Sequence, residues 1–275
     1  MKPRALDFVR AETQAEVLDS LSQAGADAHI FAGGQSLMAM LNLRLAEPGI
    51  IIDISRISEF KYIKESDGAV EVGAATTQAE LLAWPELADR LPLLSQAIPH
   101  LGHFQTRNRG TVCGSLAHAD PSSELPLCLA VLGGEVVLRS ARGERVLKAQ
   151  DFQLGMMTTA KAEDELIAAA RYPAKRPGEG FAFTEMTRKR GDFAIVGAAA
   201  VAAGDTIRLG IGGVAGKPAV REWNGLADGD MDEVLNNFAW ELGGSDDIHA
   251  TARYRRELVR RLGRSVIEEA KSCQS

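Results

Sequence analysis

Along residues 13–24 apolar side chains recur at helical spacing, with Val17, Leu18 and Leu21 on one face. Thr13 followed three positions later by Glu16 is the pattern of a capping box, and Gly25 suits the residue just past a helix end. A short strand at 29–31 leads into Ala32-Gly33-Gly34-Gln35-Ser36-Leu37. Ser36 caps or begins a helix carrying Leu37, Met40, Leu41 and Leu45. Pro48-Gly49 breaks it, and the run Ile50-Ile51-Ile52-Asp53-Ile54 reads as a buried strand. Strand, glycine turn, helix and strand in this order are an ordinary setting for a turn that holds an anion.

Alternation at 62–65 and 69–74 across Ser66-Asp67-Gly68 predicts a hairpin. Thr77 caps a helix through Leu82, and 93–102 reads as another. An apolar helix at 124–132 stops at Gly133-Gly134. Strands follow at 135–140, 145–148 and 165–172. Residues 173–180, PAKRPGEG, form the best linker. Beyond it lie strands near 181–187, 193–203 and 206–212, then helices near 231–242 and 248–271. Strands followed by helices predict a small α+β unit after the linker.

The 275 residues suffice for a large core and two domains. A net charge of −6 without a basic stripe argues against a nucleic-acid partner. Arg188-Lys189-Arg190, and Arg255-Arg256 with Arg260-Arg261, read as solvated or interface faces. No apolar stretch reaches the about 20 residues of a membrane span. The N-terminal residues lack the apolar region of a signal peptide. Cys113, Cys128 and Cys273 form no CxxC or cluster spacing, so a reduced, cytoplasmic setting without a metal of its own is expected.

The second glycine loop, RNRGTVCGSLAHADPSSE at 107–124, is longer and denser. Gly110, Thr111 and Gly114 can form a turn, and Thr111 and Ser115 bring hydroxyls. Arg107 and Arg109 either offset phosphate charge or pair with Asp120 and Glu124. Those two carboxylates either accept hydrogen bonds from ribose hydroxyls or cap the helix that follows. His100, His103 and His118 surround the segment, but no third ligand falls in register, so packing is expected rather than a metal. In the first loop Gly33 and Gly34 can take positive φ and let a phosphate approach the backbone, though a plain N-capped turn has the same sequence. Two such loops can hold the two phosphates of one dinucleotide.

AGGQSL at 32–37 and AIPHLGHFQTRNRGTVCGSLAHADPSSELP at 97–126 resemble the FAD-binding medium subunit of the molybdenum hydroxylases, the carbon-monoxide dehydrogenase and xanthine dehydrogenase type enzymes. TRKRGDFAIVGAAAV at 187–201 and SDDIHATARYRRELVRRL at 245–262 resemble further segments of that family. The resemblance implies an α+β fold. A two-part FAD-binding domain of the vanillyl-alcohol-oxidase/PCMH type spans 1–174, with parts near 1–56 and 57–174. A C-terminal domain with a three-stranded antiparallel sheet and helices spans 181–275.

It also implies roles. The loop of Ala32, Gly33, Gly34, Gln35, Ser36 and Leu37 holds the FAD pyrophosphate together with Thr111, Val112, Cys113, Gly114 and Ser115. His103, Arg109, His118 and Asp120 flank that second turn as further contacts. Glu124 binds the adenosine ribose, where relatives often have Asp. Leu166 or Ile167 contacts the flavin ring by backbone. Phe193 falls where many relatives place a tyrosine over the isoalloxazine, keeping the stacking surface without the phenol. Cys113 replaces a usual glycine: either this backbone is not in a glycine-only conformation, or the loop has shifted. Its thiol is either packed and inert or easily ionised beside exposed N–H groups. Gln35 stands where some relatives have histidine, and non-covalent FAD is expected.

In the family, substrate is hydroxylated at a molybdopterin on a large subunit, and two [2Fe–2S] clusters on a small subunit pass electrons to the medium subunit's FAD. The resemblance therefore implies an electron-transfer chain within a dimer of heterotrimers, with no acid or base acting on the primary substrate. Two other readings are a stand-alone flavin reductase or oxidase and a non-enzymatic nucleotide-binding assembly subunit.

Overall fold

The computed structural model describes residues 2–274. Its first unit is β1 (Asp7–Arg10), α1 (Gln14–Ala24), β2 (Ala28–Phe31), α2 (Leu37–Leu43) and β3 (Ile50–Asp53). The three strands form a parallel sheet in the order β1-β3-β2. The isoleucine run takes the centre because only a strand flanked on both sides buries so many consecutive apolar residues. Val17 and Leu21 of α1 pack with Ile52, Ile54, Ile57 and Phe60. Thr13 Oγ1 accepts the Glu16 N–H at 3.3 Å, but the Glu16 carboxylate turns to the Glu12 N–H at 2.8 Å, so the expected capping box is displaced by one residue.

The second unit opens with the hairpin β4 (Ile63–Ser66) and β5 (Ala69–Gly73). Asp67 and Gly68 turn it with φ of 54° and 75°, the signs of a type I′ turn. Short helices follow: α3 (Gln78–Leu82), α4 (Leu87–Arg90), α5 (Pro92–Ala97), α6 (Phe104–Arg107), α7 (Val112–His118) and α8 (Glu124–Leu132). The helix predicted over 93–102 ends early. A 3₁₀ turn takes over at Ile98–His100, where Pro99 has no N–H to give. The unit closes with β6 (Glu135–Ser140), β7 (Gly143–Lys148), α9 (Ala149–Phe152), β8 (Gln153–Gly155), β9 (Thr158–Thr159) and β10 (Leu166–Pro173). Five strands make an antiparallel sheet in the order β4-β5-β10-β6-β7. Helix α8, apolar almost all round, lies inside the main core with α5 and this sheet.

The third unit is an antiparallel meander, β11 (Glu179–Met186), β12 (Val196–Ala203), β13 (Thr206–Gly212) and β14 (Ala219–Asn224), with α10 (Met231–Leu242) and α11 (Ala252–Ser272). It has four strands rather than the expected three. The added strand reads AVREWN, too charged and short to announce itself, and it is fixed by pairing Ile207 with Trp223 and Leu209 with Arg221. Helix α11 begins at Ala252 rather than 248 because Thr251 Oγ1 takes the Tyr254 N–H at 3.2 Å.

Arg255 departs from the solvated face expected of it. It is buried, with Nη1 donating to the Ile195 carbonyl at 2.6 Å and the Gly213 carbonyl at 2.7 Å. Nη2 meets the Asp247 carboxylate at 2.6 Å. Guanidinium is suited to this because it presents several donors in one plane. Among the described residues, no helix is long and apolar enough to cross a membrane.

Candidate cofactor cleft

A cleft of about 780 Å³ runs between the first two units and reaches the third at Gly191, Asp192 and Phe193. Its size falls within the range of small-molecule and cofactor sites.

Both glycine loops open onto it. The first leaves β2 at Phe31 and enters α2 through Gly34, whose φ is +70°. A β-carbon there would collide with the Phe31 ring, so only glycine makes this turn. Ser36 precedes α2 without a side-chain capping bond. Among the described residues, no acceptor meets the backbone N–H groups of residues 33–37. Gln35 Nε2 donates to the Gly33 carbonyl at 3.1 Å and braces the turn from inside.

The second loop is pinned to α3. The Gly110 carbonyl accepts from Gln78 N–H at 2.8 Å, and Val112 N–H donates to Thr76 at 3.1 Å. Thr111 caps α7 through the Gly114 N–H at 3.0 Å. The two loops then meet. Gly33 lies so close to Arg109 and Gly110 that a β-carbon on residue 33 would stand 2.8 Å from the Gly110 Cα. The absent side chain makes room for the other loop.

Cys113 needs no glycine conformation, since it is the second residue of α7 and its φ is not positive. The thiol is buried, donates toward the Val72 carbonyl at 3.6 Å, and is pushed up to about 12 by burial. It is a packed, inert thiol.

Ser115 Oγ lies 3.0 Å from Ser123 Oγ, tying α7 to the residue before α8. That link presents Glu124, 5 % exposed, on the cleft wall. Burial raises its carboxyl to about 8, with the nearby charges of Glu185 and Asp120 adding to the effect. Leu166 and Ile167 reach the cleft from β10, just before an irregularity that shifts the pairing with β6 between Ile167 and Ala169. Phe193, 62 % exposed, stands at the mouth.

Of the residues singled out from sequence, Ala32, Gly33, Gly34, Gln35, Ser36, Leu37, Thr111, Cys113, Gly114, Ser115, His118, Glu124, Leu166, Ile167 and Phe193 line this one cleft. Four do not. Val112, the first residue of α7, is buried in the main core. Arg109 and His103 are exposed and do not line the cleft, His103 lying beside Gly191 at its edge. Asp120 Oδ1 accepts the Ser122 N–H at 2.8 Å, a turn-forming bond. Neither arginine pairs with Asp120 or Glu124 as one reading allowed: Arg107 donates to the Leu101 and Gly102 carbonyls at 2.8 and 3.1 Å. Among the described residues, no group of histidine, cysteine and carboxylate side chains could hold a metal ion.

Sequence reasoning missed Gln78, His29 and Lys161, which also line the cleft. Gln78 Oε1 is buried with no partner, an orphaned acceptor beside Gly110. Burial and the neighbouring Lys161 hold His29 below the usual histidine range. Unpartnered N–H groups at one turn, a buried carboxylate, hydroxyls and a long apolar wall fit a dinucleotide that carries a flat ring.

Comparison with known proteins bears on the same cleft. Residues 4–175 match the family described as the FAD binding domain in molybdopterin dehydrogenase. The 6-hydroxypseudooxynicotine dehydrogenase complex subunit alpha of Paenarthrobacter nicotinovorans is 33% identical over 98% of this chain and 96% of its own length. The carbon monoxide dehydrogenase medium chain of Hydrogenophaga pseudoflava is 37% identical over 73% of this chain and 70% of its own. In structure, the chain resembles reconstituted CO dehydrogenase from Oligotropha carboxidovorans with a TM-score of 0.94 at 29% identity, covering 99% of this chain and 100% of that one. Quinoline 2-oxidoreductase from Pseudomonas putida 86 gives 0.90 at 30% identity, with 99% of each chain covered. The chain therefore belongs to the molybdopterin-dehydrogenase FAD-binding family, as the FAD-binding, electron-transfer medium subunit of a molybdenum-hydroxylase-type enzyme.

Proposed function

We propose that this subunit holds FAD along the cleft, with the diphosphate between residues 32–36 and 111–115, the adenosine ribose at Glu124, and the ring against Leu166 and Ile167 beneath Phe193. One observation carries the reading: two loops distant in sequence are packed together at Gly33 and Arg109, and both face one space, the first with the backbone N–H groups of residues 33–37 unspent. Bound there, FAD supplies the exchange of electrons between a one-electron donor and an external acceptor.

The chain's own residues bind and orient. The N–H groups of 33–37 offer donors to phosphate oxygens. Glu124 accepts from ribose hydroxyls, and Phe193 shields the ring from water. The binding is non-covalent: Gln35 has no nucleophile, and the buried Cys113 thiol stays protonated. Electrons arrive from [2Fe–2S] clusters on a small partner subunit, fed by a large molybdopterin subunit that selects the substrate, within a dimer of heterotrimers. The dehydrogenase complexes among the relatives support this division of labour.

The test is reconstitution. Purified chain takes up one equivalent of FAD, and this flavin is reduced when the partner subunits and their substrate are added. Reduction by NAD(P)H without partners would replace this reading with a stand-alone flavin reductase.

A further inference from the structure

Among the described residues, Lys161 is the one lysine or arginine on the cleft wall. Arg107 is spent on two carbonyls, and Arg109 is exposed and does not line the cleft. Lys161 Nζ donates to the Ala162 carbonyl at 2.8 Å and the Glu165 carbonyl at 3.1 Å. The Glu165 carbonyl belongs to the peptide that leads into Leu166, so the ammonium is fixed beside the start of β10. An ammonium has three donors, and these bonds use two.

Two of the three neighbouring carboxylates are otherwise engaged. Arg145 holds Glu165 through bonds of 2.6 and 2.8 Å, and Arg142 holds Asp164 at 3.0 Å. Glu163 is the third, and it lines the cleft. No carboxylate stands within 4.0 Å of Lys161 Nζ among the described residues. Burial holds the Lys161 ammonium below the usual lysine range.

We propose that Lys161 is the cation that sets the reduction potential of the bound FAD, by lying against the ring edge that turns negative on reduction. This rests on the placement of the ring at Leu166 and Ile167 given above. Bound FAD would take up two electrons from the partner's clusters and one proton from solvent on reduction, and the added negative charge would lie at N1 and the C2 carbonyl oxygen. A fixed ammonium beside that edge favours the reduced form over the neutral oxidised form. Lys161 acts as a positioning and tuning group and transfers no proton.

The experiment measures the potential of FAD on the full chain by reductive titration against a reference dye, for the natural protein, Lys161→Met and Lys161→Arg. The expected result is a fall of at least tenfold in the equilibrium constant for reduction in Lys161→Met, about 30 mV for a two-electron couple. Lys161→Arg restores most of it, and FAD affinity changes less than tenfold in either variant. Lys161→Gln replaces Lys161→Met if the latter does not fold. An equilibrium constant within threefold of the natural protein, at full FAD occupancy, overturns the proposal. So does a hundredfold loss of FAD affinity, which would place Lys161 on the phosphates instead. Failure of the natural chain to take up FAD would sink the cleft reading itself, and is distinguished by the titration that precedes the measurement.

Discussion

Gly33 and Arg109 touch through their backbones: a β-carbon on Gly33 would overlap the Arg109 carbonyl, with Gly110 Cα 2.8 Å away. The contact converts two local turns into one site. It depends on a missing side chain in the first loop and on a carbonyl in the second, so neither loop specifies it alone.

Gly33→Ala should push the loops apart. Overpacking of this kind costs about 1–3 kcal/mol, and here the obstacle is backbone that has little freedom to move. The expected outcome is a lower Tm together with at least a tenfold loss of FAD affinity. Thermal unfolding with and without FAD checks both. An unchanged affinity would show that loop convergence does not govern binding.

Glu124→Gln separates the cleft carboxylate from the fold. Its carboxyl is raised from 4.5 to about 8, chiefly by burial, so the folded chain holds a proton that the unfolded chain releases. The unfolded state then binds fewer protons, and stability falls as pH rises from about 4.5 to about 8. Glu185, raised to about 7 by burial, adds to the same slope in both proteins. Glu124→Gln without FAD should therefore lose less stability over that window than the natural chain, while binding FAD more weakly. Denaturant midpoints at pH 5 and pH 8 give the comparison, and parallel slopes would contradict the buried, unpaired placement of Glu124.

Phe193→Ala should leave the fold intact because the ring is largely exposed, and such surface changes usually stay within about 0.5 kcal/mol. Its effect belongs to the flavin. Quenching of FAD fluorescence by iodide should increase in the variant, and Phe193→Tyr should restore the shielding. No change in quenching would mean that Phe193 does not cover the ring.

Arg255→Met tests the third unit. The substitution leaves the Ile195 and Gly213 carbonyls without their shared donor, a cost of about 1–3 kcal/mol for each buried group left unpaired. A fall in the denaturant midpoint corresponding to several kcal/mol is expected. A neutral result would show that other donors or water take over.

Glu71 governs acid stability. Burial would raise its carboxyl, but hydrogen bonds from Arg171, Tyr62 and Lys64 outweigh that and hold it at about 2. Its contribution is full above about 4.5 and is lost as pH falls toward about 2. Glu71→Gln should flatten acid unfolding in that window, as followed by circular dichroism, and an unaltered acid limb would contradict the pairing.

The parts legible in the sequence are those set by continuous patterns. The isoleucine run reads as a buried strand and the apolar stretch closed by Gly133 as a helix, and both form as read, the strand at the centre of its sheet. β14 was hidden because its stability comes from pairing with β13, not from its own alternation. At the site, the sequence showed which turns matter but not which way side chains leave them. Arg109 stands in the densest motif, yet its side chain is exposed and off the cleft wall, and its carbonyl is the group that meets Gly33. Lys161 lies in the charged run KAEDE, which reads as solvated surface. It faces the cleft because the chain folds β10 back beside β5, a long-range fact with no local mark.

The central claim is that the joined loops grip a diphosphate. The most direct measurement is an equilibrium titration of the chain with FAD and, separately, with riboflavin, which carries the same ring without phosphates. One FAD per chain, and riboflavin weaker by at least a hundredfold, is the expected result; equal affinities for the two would mean that the joined loops grip no diphosphate.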